Sequence, residues 1–177
     1  MAIDLEHCPS HCPSILSNGG GSPPPGTPPA TVPVTGSVGG ACAAGQVVLA
    51  RAETWLTAWN GGPVPYLSNA DPVAWFQGYR RDCSGYASMA LGLTGPGLNS
   101  TGLAARATPI PKTDLRPGDL LINPAPDLAG HVVIFDHWTD AAMTSYVGYE
   151  QSGDGGTHYR TIPYPYFGGY RMSPYRL

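Results

Sequence analysis

From Leu115 onward the apolar pattern changes period, and this change constrains the fold more than any other feature of the chain. Before it, Val48, Leu49, Ala52, Trp55, Leu56 and Trp59 recur at helical spacing, which predicts a helix over residues 46–59 with both tryptophans in the core. Asn60-Gly61-Gly62-Pro63 supplies its stop. Asp71-Pro72 opens a short helical turn through Phe76, and a second helix is expected from Asp82 or Cys83 to Leu91, before Gly92. A third is expected over residues 100–106, capped by Ser100 or Thr101. After Leu115, strand-type runs follow over residues 118–122, 131–135, 145–151, 157–162 and 169–171. The connections between them are short, so neighbours pair as hairpins in an antiparallel sheet of five to six strands. Helices first and strands later define an α+β domain, with N-terminal helices packed on one side of the sheet.

Residues 1–40 are read differently. Ser17-Asn18-Gly19-Gly20-Gly21-Ser22-Pro23-Pro24-Pro25-Gly26 and the Thr/Pro/Val run after it offer little to bury, so this stretch is expected to be a disordered Gly/Pro-rich tail or linker ahead of a domain over 41–177. Its first residues lack the basic and apolar regions of a signal peptide. The repeated His-Cys-Pro-Ser around Cys8 and Cys12 is spaced more tightly than zinc-finger ligands. It is read as a tail end or a local disulfide, and no metal or cofactor is expected. With four cysteines and one of them kept free, at most one disulfide forms among Cys8, Cys12 and Cys42. A net charge of −3 without any Lys/Arg run argues against nucleic acid as a partner, and no stretch is long and apolar enough for a membrane span.

Asp82-Cys83-Ser84-Gly85-Tyr86 carries the strongest chemical signal. A cysteine at a helix N-terminus faces unpaired N–H groups and the positive end of the helix dipole, a setting that favours thiolate chemistry. Gly85 is expected to let that first turn approach the sheet closely. A thiol nucleophile needs a base, and the base needs an orienting group. Of the five histidines, His131 begins an apolar strand directly after Gly130, at the rim of a sheet. A hairpin turn centred between Asp140 and Ala141 would put Glu150 directly opposite His131, about 5 Å away at Cβ. A one-residue slip would substitute Tyr149 or Gln151, and His158, one strand further on, is a further candidate. Tyr159, Tyr164, Tyr166, Phe167, Tyr170 and Tyr175 are expected to serve core packing and strand-end cover.

Three motifs in order, Asp82-Cys83-Ser84-Gly85-Tyr86, Leu115-Arg116-Pro117-Gly118-Asp119-Leu120-Leu121 and Gly130-His131-Val132-Val133-Ile134-Phe135, resemble the NlpC/p60 cysteine peptidases of the papain-like superfamily. Pro65-Tyr66 is similar to that family's Pro-Tyr before the nucleophile, and Tyr149-Glu150-Gln151 looks closer to the related CHAP amidases. The resemblance implies a papain-like NlpC/p60 fold and a secreted or wall-associated monomer that hydrolyses amide bonds of peptidoglycan stem peptides, commonly the D-γ-glutamyl–diamino-acid bond. It implies Cys83 as nucleophile, His131 as base and then acid, and Tyr66 with the Cys83 backbone N–H at the oxyanion. It also implies Asp82 and Ser84 as substrate contacts; the third catalytic residue is expected from the hairpin pairing to be Glu150. A CHAP-type N-acetylmuramoyl-L-alanine amidase is the alternative enzyme, and a non-catalytic wall-binding module on the same fold is the alternative outside enzymes.

Overall fold

The computed structural model describes residues 38–177. The expected tail and the readings of Cys8 and Cys12 lie outside the described residues, as does the side chain of Cys42. Three helices precede most of the sheet: α1 (Val38–Thr54), α2 (Cys83–Ala90) and α3 (Ser100–Arg106). Six strands follow: β1 (Thr108–Pro109), β2 (Leu120–Asn123), β3 (His131–Trp138), β4 (Ser145–Ser152), β5 (Gly156–Pro163) and β6 (Ser173–Arg176). They form one antiparallel sheet in the order β1-β6-β2-β3-β4-β5. The α+β class expected from the change of period is the architecture found. No described helix is long and apolar enough to cross a membrane.

Helix ends differ from expectation where the cap decides. α1 starts earlier than residue 46 and stops at Thr54, because the chain then tightens into turns and Asn60 and Gly61 take left-handed φ values of 53° and 84°. Trp55 remains in the core, fully buried, with its indole N–H donating to Gln77 Oε1 at 3.0 Å. Trp59 does not: it lies beyond the helix, 36% exposed, with the Arg81 guanidinium 4.8 Å from its ring centre. α3 begins as expected, but its cap is Asn99, whose side chain accepts the Gly102 N–H at 2.8 Å, rather than Ser100 or Thr101. The strand expected over 169–171 is instead the end of a short 3-10 turn, Phe167–Gly169, and the last strand forms later as β6.

The run from His131 to Phe135 reads as continuously apolar because both faces of β3 are covered. Val132 and Ile134 join the helix-side core with Trp55, Tyr86, Leu103, Leu120, Ile122 and Tyr149. Val133 and Phe135 face the other side, packing with Leu121, Tyr146, Ile162 and Met172. Tyr164 and Tyr166 pack against this second cluster from the chain after β5.

The β3–β4 register corrects the hairpin arithmetic. Glu150 pairs with Val133, not with His131, and Tyr149 pairs with Ile134. The turn falls later than expected, held by Asp140, whose carboxylate accepts the backbone N–H groups of Thr144 and Ser145, both at 3.1 Å. A bulge between Phe135 and His137 takes back one residue. The net displacement is two residues. An even displacement keeps every side chain on its face, so Glu150 and His131 remain on the same side of the sheet as diagonal neighbours.

Candidate active site

α2 owes its position to one side chain. Asp82 caps it in extended conformation, and its Oδ1 accepts the Gly85 N–H at 2.7 Å. Arg80 secures the cap: Nε donates to Asp82 Oδ2 at 2.9 Å, while Nη1 and Nη2 donate to the Gly97 and Leu98 carbonyls at 2.7 and 2.9 Å. The loop after α2 is thereby tied to the turn before it. Gly85 is needed for this same turn and not for the sheet: a Cβ there would lie 2.3 Å from the Arg80 carbonyl oxygen. All eight residues of α2 are buried, so Cys83 sits at the first turn of a helix locked into the core.

Tyr66 is delivered to the same place from two anchors. The Val64 carbonyl accepts from Gln151 Nε2 at 3.0 Å and from the Thr157 N–H at 3.1 Å, and the Leu67 N–H donates to the Arg81 carbonyl at 2.9 Å. Gly156 allows the first anchor, since it has φ 97° and a Cβ there would meet the Val64 oxygen at 2.3 Å. Burial raises the Tyr66 phenol above its usual value, and the negative charges of Cys83 and Asp82 add to this.

Three of the expected residues meet. The Cys83 Sγ is 4.0 Å from the Gly130 carbonyl oxygen, directly before His131. His131 Nε2–H donates to Glu150 Oε2 at 2.7 Å, which leaves Nδ1 for the thiol. Cys83 is 8% exposed, and Glu150 is fully buried. Burial alone would lower the His131 pKa, but hydrogen bonds and charge from Cys83 and Glu150 outweigh it and raise the value to about 9. Burial likewise opposes ionisation of Glu150, and His131, Tyr166 and Arg160 together hold its carboxyl below the usual range.

The geometry separates the candidates for the third position. Gln151 points to the other face of β4 and spends its amide N–H on Val64. His158 is opposite Glu150 in the β4–β5 pair, but its Nε2 lies 3.2 Å from Asp154 Oδ1 rather than against His131. Asp82 and Ser84 do not line the cleft. Asp82 is occupied as the cap, and Ser84 is 5% exposed with its hydroxyl donating to Asp82 Oδ1 at 3.1 Å. Both side chains are thus hydrogen-bonded inside the cap turn, beneath the cleft rather than along its lining.

The cleft over Cys83 is lined by Tyr66, Leu128, Gly130, His131, Gln151, Ser152 and Gly153, with a wall of Tyr166, Phe167 and Tyr170. Sequence reasoning placed these three aromatics in the packing class, yet the Tyr166 ring stands 4.9 Å from the His131 ring and its hydroxyl donates to Glu150 Oε2 at 2.6 Å. Arg160, also missed, donates from Nε to Glu150 Oε1 at 2.7 Å. Its signal was available in part, since Arg160 lies two residues from His158 and so shares the face of Glu150. Tyr166 lies in the connection between β5 and β6, where no periodicity points.

This arrangement makes stability depend on pH in a defined direction. Folded His131 keeps its proton to about 9, whereas an unfolded imidazole releases it near 6.5. The stabilisation is fully present below about 6.5 and is lost as pH rises through about 9. Urea midpoints measured from pH 6 to 10 are expected to fall more steeply for the wild type than for His131→Gln. Parallel curves would contradict the raised imidazole.

The fold and site thus define an α+β domain with a Cys–His–Glu constellation where the start of α2 meets the ends of two interior strands, β3 and β4. No protein-family model matches the chain. No curated protein matches it significantly either.

Proposed function

We propose that the chain is a cysteine hydrolase of papain-like NlpC/p60 type that cleaves amide bonds in peptidoglycan stem peptides. The observation that carries the chemistry is that Cys83 and His131 line one cleft while His131 is hydrogen-bonded to Glu150 buried behind it. The wall substrate rests on the resemblance of the three motifs. As a thiolate, Cys83 attacks the amide carbon, and the carbonyl oxygen takes the electron pair. The Cys83 backbone N–H, which has no acceptor within its own helix, and the Tyr66 hydroxyl are the donors we assign to that oxyanion. The intermediate collapses as His131 gives its proton to the departing amine, leaving a thioester. A water deprotonated by His131 then releases the acid and returns the thiolate. Action outside the cytoplasm, on the wall, belongs to the same reading.

The D-γ-glutamyl–diamino-acid bond is the leading target. A second reading, an N-acetylmuramoyl-L-alanine amidase, draws on one observation: the His131 partner is a glutamate, as in the CHAP pattern. Mass spectrometry of purified peptidoglycan digested by wild type and by Cys83→Ala distinguishes them. New amino termini on the diamino acid paired with D-γ-glutamyl carboxyl ends are expected for the first. Free lactyl groups on muramic acid would support the second. Digests identical to that of the mutant would overturn both, and co-sedimentation with sacculi without release would identify a binding module.

A further inference from the structure

Glu150 uses both carboxylate oxygens. Oε2 accepts from His131 Nε2 at 2.7 Å and the Tyr166 hydroxyl at 2.6 Å, and Oε1 accepts from Arg160 Nε at 2.7 Å. Arg160 continues outward, donating from Nη1 to Asp154 Oδ2 at 2.8 Å in the β4–β5 turn, where the Asp154 side chain is 57% exposed. A row of alternating charge therefore runs outward from Cys83 through imidazolium, carboxylate and guanidinium to a carboxylate in solvent. The reaction needs only its first two members to move protons, which raises the question of what the outer members do.

The answer lies in the half of the cycle when His131 is neutral. Once the imidazolium has given its proton to a leaving amine, Glu150 is a fully buried carboxylate beside an uncharged ring. A buried carboxylate without a counter-charge takes up a proton. It would then compete for protons that have to pass between His131, the leaving group and water. A guanidinium does not lose its charge at any working pH, so it supplies a counter-charge that persists when that of His131 does not. Its rigid fork also spans two acceptors, with Nε on Glu150 and Nη1 on Asp154, and the Phe167 ring lies 4.9 Å from its centre.

We propose that Arg160 is a positioning residue that acts through Glu150, holding it as an oriented carboxylate through both halves of the cycle so that His131 exchanges its proton only with groups in the cleft. Tyr166 assists as a neutral donor on the second oxygen. The inference rests on the reading of Cys83 and His131 as a reactive pair, but not on the identity of the substrate.

The groups that surround Glu150 come from every element packed on it. His131 stands on β3, Arg160 and His158 on β5, and Tyr166 on the segment after β5. Tyr146 on its own strand and Tyr86 on α2 both feel its charge. Cys83 lies beyond His131, and Asp154 beyond Arg160. Among the described residues, Arg160 is the one permanent cation hydrogen-bonded to Glu150.

The chain offers a direct readout, because its glutamates are only Glu6, Glu53 and Glu150. With glutamate labelled by carbon-13 at the side-chain carboxyl, the Glu150 resonance is assigned by its loss in Glu150→Gln and followed against pH. The wild-type midpoint is expected below the ordinary glutamate value of about 4.3. Arg160→Ala is expected to raise it by about 1–3 pH units, and Arg160→Lys, which restores the charge, to bring it most of the way back. Should Arg160→Ala fail to fold, Arg160→Gln keeps a hydrogen-bond donor without the charge and is expected to show the same rise. A neutral variant that folds and titrates at the wild-type midpoint would overturn the proposal, since a merely structural arginine would leave this titration unmoved. Wall digestion is read separately: a shifted midpoint with no digestion removes the hydrolase reading alone, and digestion with an unshifted midpoint removes this inference alone.

Discussion

Cys83→Ala is expected to lower the rate of stem-peptide cleavage by at least about 10⁴-fold, since removing the nucleophile from a catalytic set that acts as a unit costs nearly as much as removing all of it. In the proposed reaction the sulfur forms the bond to the substrate, and no adjacent side chain is placed to substitute for it. The adjacent hydroxyl, Ser84, is turned away, donating to Asp82 at 3.1 Å. Residual turnover would come only from binding and from donors at the oxyanion. The fold should be little affected. Cys83 is a small side chain, 8% exposed at the cleft floor, and α2 is secured by Asp82 and Arg80 rather than by the thiol. Release of soluble wall fragments, followed alongside a thermal melt, checks both halves. Cleavage within tenfold of wild type by a folded Cys83→Ala protein would remove Cys83 from the chemistry.

Glu150 yields the second large effect, and two substitutions separate its structural and chemical parts. Glu150→Ala removes the shared partner of His131, Tyr166 and Arg160 at a fully buried site. Breaking a buried ion pair from one side leaves the remaining charge uncompensated and costs about 3–5 kcal/mol. Much of a small domain's stability would be lost, read as a fall in the urea midpoint. Glu150→Gln keeps shape and an acceptor but not the charge. Burial, which already pulls the His131 pKa down, then meets less opposition, so the value falls from about 9 toward or below the ordinary imidazole range. The alkaline limb of the rate profile should move to lower pH with it, and the maximal rate should drop by about 10²–10⁴-fold. An unmoved limb in a folded Glu150→Gln protein would show that Glu150 does not govern the imidazole.

Local chemistry explains which elements were legible in the sequence. The α2 boundaries follow from Asp82 as a capping side chain and from Gly92, which takes φ 71° at the other end. The alternation of Val132 and Ile134 against Val133 and Phe135 follows from the pleat itself. The end of α1 was misread because Trp59 continues the helical spacing although the backbone has already turned. Its position in the periodicity is identical whether the chain stays helical or not. The α3 cap was missed by one residue because Asn99, Ser100 and Thr101 are all capping types, and only the path of the chain selects among them.

The pairing of His131 with Glu150 divides in the same way. Parity along a strand is a property of the sequence, so the two residues could be assigned to one face even from a register that was two residues out. Which atoms meet is a property of the assembled sheet. The bulge near Asp136 and the late turn at Asp140 convert a direct pair into a diagonal one. Arg160 and Tyr166 then approach the carboxylate from a neighbouring strand and from a segment that has no period at all. The residue types and their order were sufficient for the helix that starts at Cys83, for the strand that starts at His131 and for the α+β class, because propensity, capping and periodicity act between residues close in the chain. The support of Glu150 by Arg160 and Tyr166 depended on tertiary structure, because a buried charge selects its partners by distance in space and not by distance along the chain.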